Sequence, residues 1–215
     1  MAEKVKDRQE RATRIYNGLL RAHPEATCAL IHENPFQLLV ATILSAQCTD
    51  ERVNMVTPGL FQRYPDPAAF AAAPLEEIEE AVRSTGFYRN KALAIQESSK
   101  AIIERFGGSV PETMEDLLTL RGVARKTANV VLGNAYGQNV GVVVDTHVGR
   151  LSRRMGLTRE KGPERVERDL MKLFPQEQWT MLAHLLIWHG RRFCMARKPD
   201  CENCPLSEDC PRAGV

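Results

Sequence analysis

The stretch LRGVARKTANVVLGNAYG, running from Leu120 to Gly137, joins a glycine turn to a helix, and the rest of the chain is read outward from that junction. Ala124, Ala128, Val131, Leu132 and Ala135 recur at spacings of three and four residues, the period of one buried helix face. The first turn nevertheless carries two cations, Arg125 and Lys126, directly behind Gly122. Glycine lets backbone N–H groups approach a ligand with no Cβ in the way. At the positive end of a helix dipole those N–H groups suit a phosphate. Gly122, Val123 and Ala124, flanked by Arg121 and Arg125, therefore read as a grip on a DNA backbone that ignores base sequence.

Lys126 asks for more. An ammonium in a first helical turn faces the positive end of the dipole and cationic neighbours, which favours the uncharged amine. Such an amine is a nucleophile able to form a Schiff base with an aldehyde. One more phosphate contact is the plainer reading of the same side chain. Asp145, in VVVDTHVGR, also has two readings. It suits the N-cap of the helix that follows, and it suits a carboxylate serving chemistry on Lys126.

Composition narrows the setting. A chain of 215 residues can bury a real core in one large domain or two small ones. Aromatic residues are only 6%, which argues against a stacking platform for single strands. The net charge is +2, so any nucleic-acid function must rest on local patches. The charged opening MAEKVKDRQERATRIYNGLL lacks the apolar stretch of a signal peptide, and no apolar run is long enough to span a membrane. A cytoplasmic, nucleoid-associated protein is expected.

Helical period runs through almost every segment. Residues 2–22 read as a charged amphipathic helix, and NPFQLLVATILSAQC as the central core helix, with Asn34 as N-cap and Pro35 in its first turn. Residues 50–63 form the next helix, and RYPDPAAF reads as a proline-marked turn. LEEIEEAVRSTG is expected to end on Gly86, RNKALAIQESSKAIIERFG on Gly107–Gly108, and PETMEDLLTL to begin at Pro111. Helices at about 160–174 and 176–192 complete the set. Val142–Val144 is strand-like but too short for a sheet. The expectation is an all-α fold of about ten helices.

Cysteine placement is uneven. Cys28 and Cys48 stand alone and read as small buried hydrophobes. The others follow the spacing Cys194-x6-Cys201-x2-Cys204-x5-Cys210, which points to a metal in a reducing compartment. Four thiolates suit tetrahedral Zn²⁺ and a [4Fe–4S] cube equally, so spacing leaves both open. The loop between the first two ligands, MARKPD, presents Arg197 and Lys198 beside Arg191 and Arg192, with no nearby acid until Asp200. Phosphate contact and a solvated surface loop are both consistent with it.

Taken in order, LRGVARKTANVV, VDTHVGR and HGRRFCMARKPDC resemble the endonuclease III family of DNA glycosylases, within the helix-hairpin-helix superfamily. The resemblance runs from PFQLLVATILSAQCTD to Cys210. It implies two helical domains with the active site in the cleft between them: a six-helix barrel over 29–138, and an iron–sulfur cluster domain from 1–28 and 139–215. It implies a [4Fe–4S] cluster on the four clustered cysteines, Lys126 as the Schiff-base nucleophile and Asp145 as the catalytic aspartate. The implied partner is double-stranded DNA holding a damaged pyrimidine or an abasic site, acted on by a monomer. The damaged base is flipped out of the stack. The lysine amine then attacks C1′, displaces the base, and the resulting iminium permits β-elimination on the 3′ side. Gln47, in LSAQCTD, matches the residue that enters the vacated space, and Phe87, in STGFY, matches a wedge position. Core packing is the plainer reading of Phe87 taken alone.

Two hairpin positions depart from the family's usual L-P-G-V-G, with Arg121 for proline and Ala124 for the second glycine. If that second position needs positive φ, Ala124 costs about 1 kcal/mol and shifts the loop. Direct phosphate contact by Arg121 would offset this. An adenine-mismatch glycosylase shares hairpin and cluster but lacks the lysine and usually has a further C-terminal domain; Lys126 and VDTH argue against it, as does the short stretch after Cys210. A non-enzymatic DNA-binding module explains every cation yet leaves Lys126 and Asp145 without a task. A lysine aldolase acting on a sugar would want alternating strands and helices.

Overall fold

The computed structural model describes residues 3–215, and every regular element among them is a helix. The chain forms two compact units. One is Cys28–Gln138; the other joins the segment up to Thr27 with Asn139–Val215.

The Cys28–Gln138 unit contains α2 (Pro35–Leu44), α3 (Asp50–Arg63), α4 (Pro67–Ala72), α5 (Leu75–Val82), α6 (Tyr88–Phe106), α7 (Met114–Leu118) and α8 (Arg125–Ala135). Helix α2 starts where expected: the Asn34 side chain accepts from the Gln37 N–H, and Pro35 fills the first position. Phe36 and Leu38–Leu44 are all buried, so α2 is the core helix on which α3, α6 and α8 pack. The segment RYPDPAAF is more than a turn. Asp66 caps α4 by accepting from the Ala69 N–H at 2.8 Å, and Phe70 is fully buried against Phe36 and Tyr64. A cap and one anchored aromatic hold this short helix under α6. Helix α7 begins at Met114 with Thr113 as its cap, later than Pro111, because the threonine hydroxyl accepts from the Asp116 N–H. Helix α5 gives way to a 3₁₀ turn over Arg83–Thr85 before Gly86.

The second unit contains α1 (Val5–Ala22), α9 (Thr146–Arg154), α10 (Pro163–Leu173) and α11 (Trp179–Arg192), with a 3₁₀ turn at Gln176–Gln178. The expected start of the first helix at residue 2 lies outside the described residues. Ala12, Ile15, Tyr16 and Leu19 are buried, and α1 packs on α11. Gly18 leaves a notch on α1: a Cβ there would stand 2.5 Å from Leu206 Cδ2 in the C-terminal loop. Val142–Val144 forms no strand. Cys28 and Cys48 are half-buried rather than buried, and burial pushes the Cys28 thiol up. No helix among the described residues is long and apolar enough to cross a membrane.

Candidate functional site

Between α7 and α8 the chain turns on Gly122, whose φ is 77°. A Cβ at this position would lie 2.9 Å from Ala94 Cβ on α6, so the turn demands glycine for conformation and for space. Ser98 Oγ on α6 donates to the Arg121 carbonyl at 2.8 Å, and the Val123 N–H donates to the Leu120 carbonyl at 3.2 Å. Ala124 sits at φ −98° and ψ 171°, extended backbone open to any residue. The anticipated strain at Ala124 is therefore absent. Ala124 gives α8 no side-chain cap, the arrangement in which a helix start receives an anion. Arg121, Arg125 and Lys126 are exposed around it, whereas the Val123 side chain is buried and offers only backbone. The buried face of α8 is Ala128, Asn129, Val131 and Leu132, which excludes the expected Ala124 and Ala135. Gly122→Ala is expected to lower stability by about 1–3 kcal/mol in urea unfolding, since positive φ and a rigid neighbour both oppose it.

Four residues other than glycine adopt positive φ among the described residues: Gln47, Phe87, Lys198 and Arg212. The first three are candidate DNA contacts read from the sequence. A non-glycine residue held in this region costs of order 1 kcal/mol or more, and such positions concentrate at functional sites. Phe87 is 70% exposed, which overturns core packing as its role. Its turn is held from beneath by Lys91, a residue the sequence reading passed over. Lys91 is buried, its Nζ donates to the Thr85 carbonyl at 2.7 Å, and its N–H donates to the Phe87 carbonyl at 3.1 Å. Burial holds the Lys91 ammonium below the ordinary lysine range. Phe87→Gly is expected to leave unfolding free energy unchanged or raise it by up to about 1 kcal/mol, because strain is relieved and nothing buried is lost. A packed aromatic would instead cost about 3–5 kcal/mol on truncation, so urea unfolding separates the two.

In the other unit, Asp145 caps α9: its Oδ1 accepts from the Val148 N–H at 2.8 Å. The carboxylate is half-buried, and its charge opposes the effect of burial, which pushes the neighbouring His147 imidazole down. Two arginines one turn apart on α9 then reach the C-terminal loop. Arg150 donates to the Cys194 carbonyl through Nε at 3.2 Å and Nη2 at 3.0 Å. Arg154 donates to the Met195 and Ala196 carbonyls at 2.7 and 3.0 Å, and to Cys194 Sγ at 3.4 Å. The sequence reading missed both, although their spacing in THVGRLSRR places them on one helix face.

Cys194, Cys201, Cys204 and Cys210 line one cavity together with His189, Phe193 and Met155. Among the described residues no three His, Cys, Asp or Glu side chains converge as ligands of a single ion. Four cysteine thiols lining one cavity are the donor set that a [4Fe–4S] cluster takes. Burial, reinforced by the neighbouring thiols, pushes Cys204 and Cys210 up, so a bound cluster must displace their protons. His189 is fully buried at the cavity wall, and burial pushes its imidazole down to about 4. Of the cations expected here, Arg192 pairs with Glu25 at 2.5 Å and stacks on Trp188, so that face does have an acid. Arg197 and Lys198 remain exposed.

Residues 40–176 match the family model described as HhH-GPD superfamily base excision DNA repair protein, and residues 194–210 match the iron–sulfur binding domain of endonuclease III. Endonuclease III of Synechocystis sp. is 57% identical, covering 99% of this chain and 97% of its own. Endonuclease III of Bacillus subtilis is 50% identical, covering 87% and 85%. A solved endonuclease III, trapped as a covalent intermediate with DNA, superposes with a TM-score of 0.90 at 43% identity over 95% of this chain and 96% of that one.

Proposed function

The chain belongs to the endonuclease III family of base-excision DNA repair proteins, and from that premise we propose that Lys126 is its nucleophile, Asp145 its assisting carboxylate and oxidised pyrimidines in duplex DNA its substrates. As a member it is a bifunctional DNA glycosylase and abasic-site lyase, and it carries a [4Fe–4S] cluster. That assignment displaces the non-catalytic binding module and the monofunctional mismatch enzyme.

One observation carries the proposal. Lys126 presents an exposed amine in the first turn of an uncapped helix, directly behind the Gly122 turn. A duplex backbone held at that helix start would bring a sugar within reach of the amine. Attack at C1′ expels the base, the sugar ring opens to the iminium, and loss of the acidified C2′ proton to water forms a C2′–C3′ double bond as the 3′ phosphate leaves. Asp145 stabilises positive charge on the sugar or takes a proton from the amine. Gln47 and Phe87 fill the space left by the flipped nucleotide. Arg121, Gly122, Val123, Ala124 and Arg125 hold the backbone from the hairpin, and Arg197 and Lys198 from the loop.

The Cys28–Gln138 unit is the hairpin domain in this reading, and the other unit is the cluster domain, its four cysteines being the ligands. Thiolate ligation ties the loop into one piece, which is the chemistry the cluster supplies here. The protein acts as a monomer at the nucleoid in the cytoplasm. The test is a duplex with one oxidised pyrimidine beside an undamaged control. Base release followed by a nick on the 3′ side, only in the damaged strand, is expected. Equal cleavage of both duplexes, or release without a nick, would overturn it.

A further inference from the structure

We propose that His23 and His189 form a tautomer-locked relay that delivers one hydrogen bond to the Cys204 thiolate, which makes them positioning residues of the iron–sulfur cluster. The inference rests on the cluster ligands named above. His23 Nε2 lies 3.0 Å from His189 Nδ1, and His189 Nε2 lies 3.4 Å from Cys204 Sγ. Both rings are buried, 1% and 0% exposed. His189 stacks on Phe193 with centroids 5.3 Å apart, and His23 meets His189 edge-on. The backbone fixes both ends. The His23 N–H donates to the Leu19 carbonyl at the end of α1, and the His189 carbonyl on α11 accepts from the N–H groups of Phe193 and Cys194.

Proton positions follow from the acceptors. A ligated thiolate has only lone pairs to offer, so the hydrogen between it and His189 sits on Nε2. In a neutral ring Nδ1 is then bare, and it accepts from His23 Nε2–H. That leaves His23 Nδ1 as a bare lone pair, and this is the ring nitrogen that finds no partner. The reverse direction would bury an unpartnered N–H at His23 together with a charged His189, a costlier arrangement in an apolar pocket. Hydrogen bonds in series polarise one another, so His23 strengthens what His189 donates. A donor on a ligand sulfur draws charge from the cluster, favours its more reduced state and holds the ligand in place.

The test measures the cluster directly, by film voltammetry of the purified holoprotein and by the rate of iron loss to a chelator. His189→Phe keeps the ring and its stack on Phe193 while removing both nitrogens. His23→Phe removes only the remote donor, and His23→Gln restores an N–H at that place. The expected order of midpoint potentials is wild type and His23→Gln highest, His23→Phe lower, His189→Phe lowest. Iron loss is expected to quicken on the order of 10-fold in His189→Phe. In a His189→Phe background the His23→Phe shift is expected to vanish, since the two act in series. An equal shift in both backgrounds would overturn the relay, as would a wild-type potential in His189→Phe. Should His189→Phe fail to fold, identical potentials for His23→Phe and His23→Gln overturn it alone. Wild-type protein lacking iron and sulfide would instead remove the cluster reading beneath it.

Discussion

Lys126→Ala is expected to bind an abasic duplex and yield no adduct when borohydride is added. Borohydride reduces an imine to a stable amine, so wild-type protein and DNA should run together as one shifted band on a denaturing gel. The variant has no primary amine at that place to condense with the sugar aldehyde. Strand cleavage should fall by at least roughly 10⁴-fold, on the scale of deleting other covalent nucleophiles. Fold and duplex affinity should change little. Lys126 is exposed, and the Gly122 turn and Arg125 that precede it are untouched. Removing one phosphate contact, the alternative role, would weaken binding in a salt-dependent way and leave trapping intact. A trapped adduct from Lys126→Ala would assign the nucleophile elsewhere.

Asp145→Asn should lower turnover by about 10²- to 10⁴-fold while leaving stability within about 0.5 kcal/mol of wild type. The carboxylate does two jobs in the proposal, and this substitution separates them. Asn keeps a side-chain oxygen to accept from the Val148 N–H, and Asn and Asp are comparable N-caps. It loses the charge that would stabilise a sugar cation or take a proton. Asp145→Ala should lose activity and a further ~1 kcal/mol of helix capping. Thermal unfolding beside single-turnover cleavage reads both. Undiminished turnover in Asp145→Asn would leave the residue a cap and nothing more. Borohydride trapping should persist in this variant on a pre-formed abasic site, because Lys126 is intact.

Two helix starts were legible in the sequence from the side chain that makes them. Asn34 before Pro35, and Asp145 before Thr146, announce themselves because the capping oxygen belongs to the residue itself. Asp66 carried the same signal at α4, but two prolines nearby made a turn the easier reading, and a buried Phe70 decided otherwise. The cysteine spacing was legible as a metal-binding loop, with the choice between Zn²⁺ and a cluster left to the family resemblance. What holds that loop was not, since Arg150 and Arg154 reach it from a helix some 40 residues earlier in the chain. The conformation of Ala124 stayed open in the hairpin pattern, since a second glycine there would leave the sign of φ undecided. Only Gly122 in this turn takes positive φ, which frees the position two residues on. Phe87 illustrates a limit of composition: an aromatic among helices looks like core, and only its backbone geometry and exposure mark it as presented to solvent.

Helix α1 and the loop that seats Leu206 against Gly18 lie far apart in the sequence, and this sets a clock on biosynthesis. The ribosome releases α1 first, with Ile15, Tyr16 and Leu19 bare on one face, and α11 does not follow until residue 192. At about 5–20 residues per second that interval is roughly 10–30 s. Meanwhile Cys28–Gln138 is contiguous and can collapse as it emerges. Helix α1 is therefore made well before α11, and it waits exposed for its partner. Cys210 appears later still, so the four clustered cysteines are all available only after α11 has been made.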